Sequence, residues 1–180
     1  MLRSAFVLAA ILCSTLTLSG NSSPYSGQET REIKALSPQE IADYEAGRGM
    51  GLAKAAELNG YPGPAHVLEL ADDLQLTAEQ KAATEAIMVR MRTRAVALGK
   101  DLVDEERALD RKFASHSIDP DSLQRALERI GRLHGELRRS HLEAHLAEAS
   151  VLTPHQVMHY NVVRGYSTGG GHSMHDHQGG

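Results

Sequence analysis

The chain of 180 residues contains the five-residue pattern L-T-x-x-Q twice, at residues 76–80 and 152–156. A threonine at a helix N-cap accepts a hydrogen bond from a free backbone N–H, and a glutamine three residues later reaches back to the N–H of the cap. Pro154 follows the second threonine at the first helical position, where a missing N–H costs nothing. A looser copy at residues 36–40 places Ser37 in the same role. Each copy therefore predicts the start of a helix.

Apolar residues continue a helical pattern after the first copy, at spacings of three, four and seven residues. They are Ile87, Met91, Ala95, Leu98, Leu102, Leu109 and Phe113. Residues 115–120 interrupt this pattern, and Asp119 followed by Pro120 predicts the start of the next helix, which extends to about residue 150. Because no segment shows alternating apolar residues of the strand-forming types, we expect no strand.

These segments predict an all-α fold in which two long helices form an antiparallel hairpin. Shorter helices are expected at residues 37–45, up to residue 58 and at residues 65–74, and a final helix at residues 153–164. A hairpin has only one apolar seam on each helix. We therefore expect the short helices, a second chain, or both to cover it.

The first 20 residues are typical of a secretory signal peptide. Arg3 precedes an uncharged apolar stretch at residues 5–18, which is too short to span a bilayer comfortably, although a retained anchor is the alternative. The single cysteine, Cys13, lies in this segment, so an exported chain would have no disulfide and no thiolate ligand. We expect export to the periplasm, a disordered linker at residues 21–36, a helical domain at residues 37–164 and a flexible tail at residues 165–180.

The formal net charge of −4 argues against binding to nucleic acid. Residues 86–140 are nevertheless richer in basic than in acidic side chains, which suits either an acidic partner or a solvated helix face. No catalytic set stands out. In the segment His141-Leu-Glu-Ala-His145 the glutamate is one place away from the order found in zinc proteases, and we expect no enzyme activity.

Three histidines lie within the apolar stripe of the helix that follows Pro120. At about 100° per residue, His134, His141 and His145 fall within about 40° of Leu123. His141 and His145 are one turn apart, so their imidazoles can share one ion. Such ligands suit zinc, copper, nickel or cobalt. The alternative is that these histidines are neutral, hydrogen-bonded core residues.

Two further groups of residues offer metal ligands. His155 and His159 repeat the one-turn spacing on the last helix, with Met158 between them. The glycine-rich C-terminus carries His172, His175 and His177, a composition typical of weak metal binding. Because ordering a flexible segment costs chain entropy, we expect the tail to bind without much selectivity.

The two L-T-x-x-Q copies, in a short exported helical chain, resemble the motifs of the Spy/CpxP group of bacterial periplasmic proteins. That group includes the zinc resistance-associated protein and the CnrX-like heavy-metal sensors. The resemblance covers roughly residues 64–163 and implies an interlocked homodimer of hairpins with a concave cradle.

The resemblance also implies where ligands would lie. The sensor branch uses histidine pairs together with a glutamate and a methionine from neighbouring helices. His155 and His159 match its ligands in the last helix, whereas only His66 lies near the start, so the N-terminal pair of the sensors has no counterpart. The His-rich end is closer to the zinc resistance-associated branch.

Two functions follow from these features. The first is metal binding in the periplasm, as a sensor, buffer or resistance factor, with a divalent transition metal as ligand. The second is an ATP-independent chaperone that holds unfolded envelope proteins. A membrane regulator is a further possible partner, and genomic neighbours would discriminate these roles.

Overall fold

The computed structural model describes residues 23–166, and this range is entirely helical apart from turns. The described residues fall into two units, 23–30 and 31–166. The described part of the first unit contains one 3-10 turn, Gln28–Thr30. Six α-helices follow in the described part of the second: α1 Pro38–Glu45, α2 Lys54–Glu57, α3 Pro64–Glu69, α4 Ala78–Ala114, α5 Pro120–Val151 and α6 Pro154–Val163. No strand occurs in residues 23–166, so the prediction of an all-α fold is confirmed for this range.

Helix starts agree with the capping patterns in the sequence. Ser37, Thr77, Asp119 and Thr153 are the N-caps of α1, α4, α5 and α6, and each side chain accepts a hydrogen bond from the backbone N–H three residues later. The side chain at that third position bonds back to the N–H of the cap in all four cases. Local chemistry thus fixes where these four helices begin.

The two glutamines of the repeated pattern also bond to each other. Gln80 Nε2 donates to Gln156 Oε1 at 2.8 Å, and Gln156 Nε2 donates to Gln80 Oε1 at 3.0 Å. The same two amide groups donate to the carbonyls of Val151 at 3.0 Å and Leu74 at 3.1 Å. These bonds join the start of α4 to the start of α6. Each side-chain NH₂ group donates two hydrogen bonds.

The long helices α4 and α5 lie side by side in opposite directions. Thr84 near the start of α4 contacts Glu148 near the end of α5, whereas Glu105 farther along α4 pairs with Arg129 early in α5. Between these points Ala95 and Leu102 of α4 and Ile130 and Leu137 of α5 form one buried cluster. No helix in the described range is both long and apolar enough to cross a membrane.

Residues before α1 pack on α4, which differs from the predicted linker. Ile33 and Leu36 are buried against Val103, and the backbone N–H of Lys34 donates to Asp110 Oδ1 at 3.0 Å. The two apolar side chains supply enough burial to order a segment whose surrounding composition is polar. Residues 31–36 therefore belong to the helical body.

α1 also packs closely on α4, at a position that requires glycine. A Cβ added at Gly99 would overlap the backbone carbonyl of Tyr44. The absence of a side chain at this point in α4 lets the end of α1 approach the backbone of the long helix.

The helix after the proline-rich breaker is shorter than predicted. α3 ends at Glu69 rather than near residue 74, and turns follow it. Gln75 takes a positive φ of 50°, which redirects the chain towards the cap of α4. Leu74 then enters a buried cluster with Val67, Leu152 and Tyr160. Burial of Leu74 outweighs continuation of a marginal helix.

Phe113 of the apolar pattern in α4 is exposed, and so is Leu127, which an ideal helical wheel places within about 40° of Leu123. Phe113 lies in the last turn of α4, and Leu127 lies on the outer side of α5. The buried face of α5 includes Ile130 and Leu137 and extends to Ala126. It is rotated by roughly 30° from an ideal wheel centred on Leu123.

The glutamine pair makes a testable prediction. Gln80→Glu keeps an oxygen to accept from the Thr77 N–H but removes both donors to Gln156 and Val151. We expect a loss of about 1–3 kcal/mol in the free energy of unfolding, because partly buried acceptors lose their partners. Chemical denaturation followed by circular dichroism would measure it.

The matched control is Glu40→Gln in the Ser37 capping box, where the glutamate is exposed and accepts only from Ser37. This change should alter stability by no more than about 0.5 kcal/mol. Equal losses in the two variants would contradict a special role for the glutamine pair.

Candidate metal site

A cavity of about 590 Å³ opens between the glycine-rich loop before α2 and the helices α2 to α5. Three histidines and one glutamate line it: His66, His141, His145 and Glu57. His141 and His145 lie one turn apart near the end of α5, and the other two come from α3 and α2. Three helices, α2 and α3 on one side and the sequence-distant α5 on the other, therefore bring polar side chains to one space.

His141 is buried, with 5 % of its surface exposed. Its Nε2 atom has no hydrogen-bond partner among the described residues. Burial lowers the pKa of His141, and the neighbouring His145 lowers it further. The imidazole is therefore neutral at physiological pH and carries a nitrogen lone pair suited to a metal.

The ring of His145 is held in a defined orientation. Its Nδ1 lies 2.8 Å from the backbone carbonyl of Tyr61, which can only accept, so Nδ1 carries the proton and donates. In the neutral ring Nε2 then keeps the lone pair. Gly63 packs against this ring, and a Cβ there would lie 2.9 Å from the Cε1 atom. The segment before α3 thus supplies the Tyr61 carbonyl that orients the ring, and the glycine at position 63 leaves room for it.

Glu57 connects this cavity to the C-terminal helix. Its carboxylate lies 3.5 Å from His66 Nδ1 and 3.6 Å from His145 Nδ1. It also accepts a hydrogen bond of 2.5 Å from the hydroxyl of Tyr160 and one of 3.2 Å from Tyr166. Burial and the bond to Glu57 raise the pKa of Tyr160, so the phenol keeps its proton and donates.

The other predicted ligands lie elsewhere. His134 is partly buried, with its ring centroid 6.0 Å from that of Tyr44 in an edge-to-face arrangement. His155 is exposed and His159 is partly buried on α6, and neither lines the cavity. Met158 is exposed beside a separate hollow that includes Pro154. His172, His175 and His177 lie outside the described residues.

The residues fit a metal only in part. Two imidazoles one turn apart, one of them oriented by a backbone carbonyl, are an arrangement that metal-binding histidines commonly adopt. Within residues 23–166, however, no three His, Cys, Asp or Glu side chains are grouped so that they could hold an ion. An ion at His141 and His145 therefore needs a further donor.

Sequence reasoning missed Glu57 and the lining role of His66. Glu57 is 88 residues away from His145 along the chain, and its short helix has no pattern that marks a ligand. The only indication in the sequence was the helix-breaking segment at residues 59–64. It predicts a reversal of chain direction, but it does not predict that α2 and α3 pack beside α5.

A buried carboxyl lies one turn beyond the histidines. Glu148 is fully buried, and its Oε1 accepts from the Thr84 hydroxyl at 2.8 Å. Its Oε2 has no partner among the described residues. Burial raises the pKa of Glu148, and the bond from Thr84 offsets only part of that rise. A buried group of this kind is more stable protonated.

A family model described as heavy-metal resistance matches residues 50–159. The matched range contains both L-T-x-x-Q copies, the cavity histidines and Glu57. It is consistent with the Spy/CpxP-like resemblance predicted from the motifs. No curated protein and no solved structure matches the chain.

The raised pKa of Glu148 predicts a pH dependence. Above pH 4.5, the ordinary value, the unfolded chain releases this proton while the folded chain retains it. Stability therefore falls as the pH rises from 4.5 to the folded pKa, and then levels off. Glu148→Gln should remove this fall and be more stable than the wild type at neutral pH. Thermal unfolding across the pH range measures the difference, and the exposed Glu128→Gln is the control. Parallel profiles for all three proteins would contradict the prediction.

Proposed function

Because the chain belongs to the heavy-metal resistance family, we propose that it binds a divalent transition metal in the cavity beside α5. The proposed compartment is the periplasm, and the proposed role is that of a sensor or buffer in metal resistance. The observation that carries this proposal is the pairing of His141 and His145, one turn apart and lining the same buried space.

The chemistry of the pair supports the proposal. A neutral imidazole suits zinc, copper, nickel or cobalt. The Tyr61 carbonyl fixes the ring of His145, as outer partners of metal-bound histidines do. Leaving the buried Nε2 of His141 without a partner costs stability, and a bound ion would satisfy it.

Glu57 supports a role as sensor. It is the nearest carboxylate to His145, and it also holds the hydroxyls of Tyr160 and Tyr166. An ion that attracted this carboxylate would weaken those two bonds. Metal occupancy would thereby change how firmly the end of α6 is held.

The first test replaces the pair in a chain whose three tail histidines are alanine. His141→Ala with His145→Ala should weaken zinc binding by about tenfold or more, because the proposed ligands are lost. Isothermal titration calorimetry with zinc, nickel and copper(II) would measure the change.

The matched control is His155→Ala with His159→Ala, which removes a pair of the same spacing from α6. A loss confined to the α6 variant would relocate the site. The chain with alanine at the three tail histidines still carries His141 and His145. If it gave no heat of binding with any of the three metals, metal binding by the helical body would be rejected.

The proposed homodimer is supported by the outer face of α5. Leu127 and Leu146 are 51 % and 56 % exposed. Gly131 and Gly135 lie between them, and a Cβ at either would meet nothing within 4 Å. These four positions fall within about 100° of the helix circumference. Two antiparallel copies of α5 would place the Leu127 end of one against the Leu146 end of the other.

The alternative function uses the same face. If no second chain covers these leucines, they form an exposed apolar surface that could hold an unfolded envelope protein without ATP. The dimer therefore requires these leucines to be covered by a second chain, whereas the chaperone requires them to be exposed.

One experiment separates these two uses. Leu127→Glu with Leu146→Glu should convert a dimer into a monomer, because burying like charges at an interface is unfavourable. Light scattering after size exclusion measures the mass, and Leu58→Glu, also at an exposed leucine, is the control. A monomeric wild type that suppresses client aggregation, with that activity lost in the double variant, would contradict the dimer and support the chaperone.

A further inference from the structure

We propose that the cavity prefers a soft monovalent cation, copper(I) or silver(I), and that methionine thioethers complete its ligand set. This inference rests on the proposed function, since it uses the same pair of imidazoles. It differs in the class of ion and in the residues that select it.

Methionines are concentrated around this cavity. The chain has six, and Met50, Met88 and Met91 all line the space that His141 and His145 line. Of the others, Met158 is exposed on α6, and Met1 and Met174 lie outside the described residues. Thioethers are soft, uncharged donors that favour copper(I). Two imidazoles and two or three thioethers would form such a set without a third His, Cys, Asp or Glu side chain.

Two of the methionines come from the helix opposite the histidines. Met88 and Met91 are three residues apart on α4, so they occupy neighbouring positions on one face. Both are partly buried, and Met91 also contacts the core cluster between α4 and α5. The alternative role of Met91 is to fill space in that core. Met88 is not part of that cluster, which leaves its thioether without such an explanation.

The third methionine, Met50, lines the cavity from a loop with an uncommon backbone conformation and is 39 % exposed. Met50 has a φ of 45°, in the left-handed region that side chains other than Asn and Asp rarely adopt. It lies between Gly49 and Gly51, in a loop that lines the cavity. Such conformations carry a cost of about 1–3 kcal/mol and are concentrated at binding sites. The conformation favours a role for Met50 in the cavity.

Charge at the rim favours a single positive charge on the ion. Arg48, Lys54 and Arg92 also line the cavity, and only Arg48 has an ion-pair partner, Asp43, among the described residues. Repulsion from fixed cations is twice as large for a divalent as for a monovalent ion at the same place. The Glu57 carboxylate, which would favour a divalent ion, already accepts bonds from two tyrosines.

The experiment compares silver(I), copper(I) and zinc in one background chain. That background replaces the ligands outside the helical body by Cys13→Ser, Met174→Leu, His172→Ala, His175→Ala and His177→Ala. The test variant adds Met88→Leu with Met91→Leu, which nearly conserves side-chain volume. The control adds Met158→Leu instead. Silver(I) is titrated calorimetrically, and copper(I) is measured anaerobically by competition with a chromogenic chelator.

We expect the test variant to lose about tenfold or more in affinity for copper(I) and silver(I), with zinc affinity nearly unchanged. X-ray absorption of the copper(I) form should show sulfur scatterers that disappear in the variant. The Met158 control should match the background. Adding Met50→Leu should extend the loss, and thermal unfolding confirms that each variant is folded.

Unchanged copper(I) and silver(I) affinities in the triple leucine variant would overturn this inference. So would an absorption spectrum with nitrogen and oxygen scatterers alone. In either case, zinc binding that depends on His141 and His145 would still support the proposed function. A background chain that binds none of these ions would overturn both.

Discussion

The reciprocal amide pair of Gln80 and Gln156 is the interaction on which the arrangement of the other elements depends. Each glutamine closes the cap of its own helix and donates to the other, and each also donates to a backbone carbonyl, that of Val151 for Gln80 and that of Leu74 for Gln156. Four hydrogen bonds of the two amides thereby fix the start of α6 beside the start of α4. A glutamate could close either cap but could not donate, which explains why these two boxes carry Gln while the exposed box at Ser37 carries Glu.

The position of α6 determines the position of the cavity wall. Tyr160, two turns into that helix, is fully buried in the cluster with Val67, and its hydroxyl donates to Glu57. Glu57 in turn lies beside His145. A contact made by two capping residues is therefore transmitted through one buried tyrosine to the imidazole of the candidate site. This sequence of contacts connects the repeated L-T-x-x-Q pattern to the candidate metal site.

One face of α5 carries an unusual density of buried polar atoms. His141 Nε2 and Glu148 Oε2 are both buried without partners among the described residues, within two turns of each other. Each atom lowers the stability of the fold, because it has left water without a replacement hydrogen bond from the described residues. Such violations of polar satisfaction are expected where a sequence serves binding rather than stability. Their position at the cavity and the turn beyond it agrees with that expectation.

Local chemistry made the helix starts and the buried histidine pair predictable from sequence. Thr77, Asp119 and Thr153 act within three residues, and the spacing of His141 and His145 fixes a common face. The remaining site residues were not predictable. Tertiary packing alone brings α5 close to Glu57, His66 and the cavity methionines. The periodicity of apolar residues within one helix does not show which other helices pack against it. The buried segment at residues 31–36 was missed for the same reason, since its polar composition hides two well-packed apolar residues.

The most direct test of the account is to locate the ion itself. Crystals grown with zinc would be measured at energies above and below the zinc absorption edge. An anomalous peak is expected inside the cavity, at about 2.0–2.1 Å from a ring nitrogen of both His141 and His145. Peaks found only at the histidines of α6 or in the tail, with the cavity pair free of metal, would contradict it.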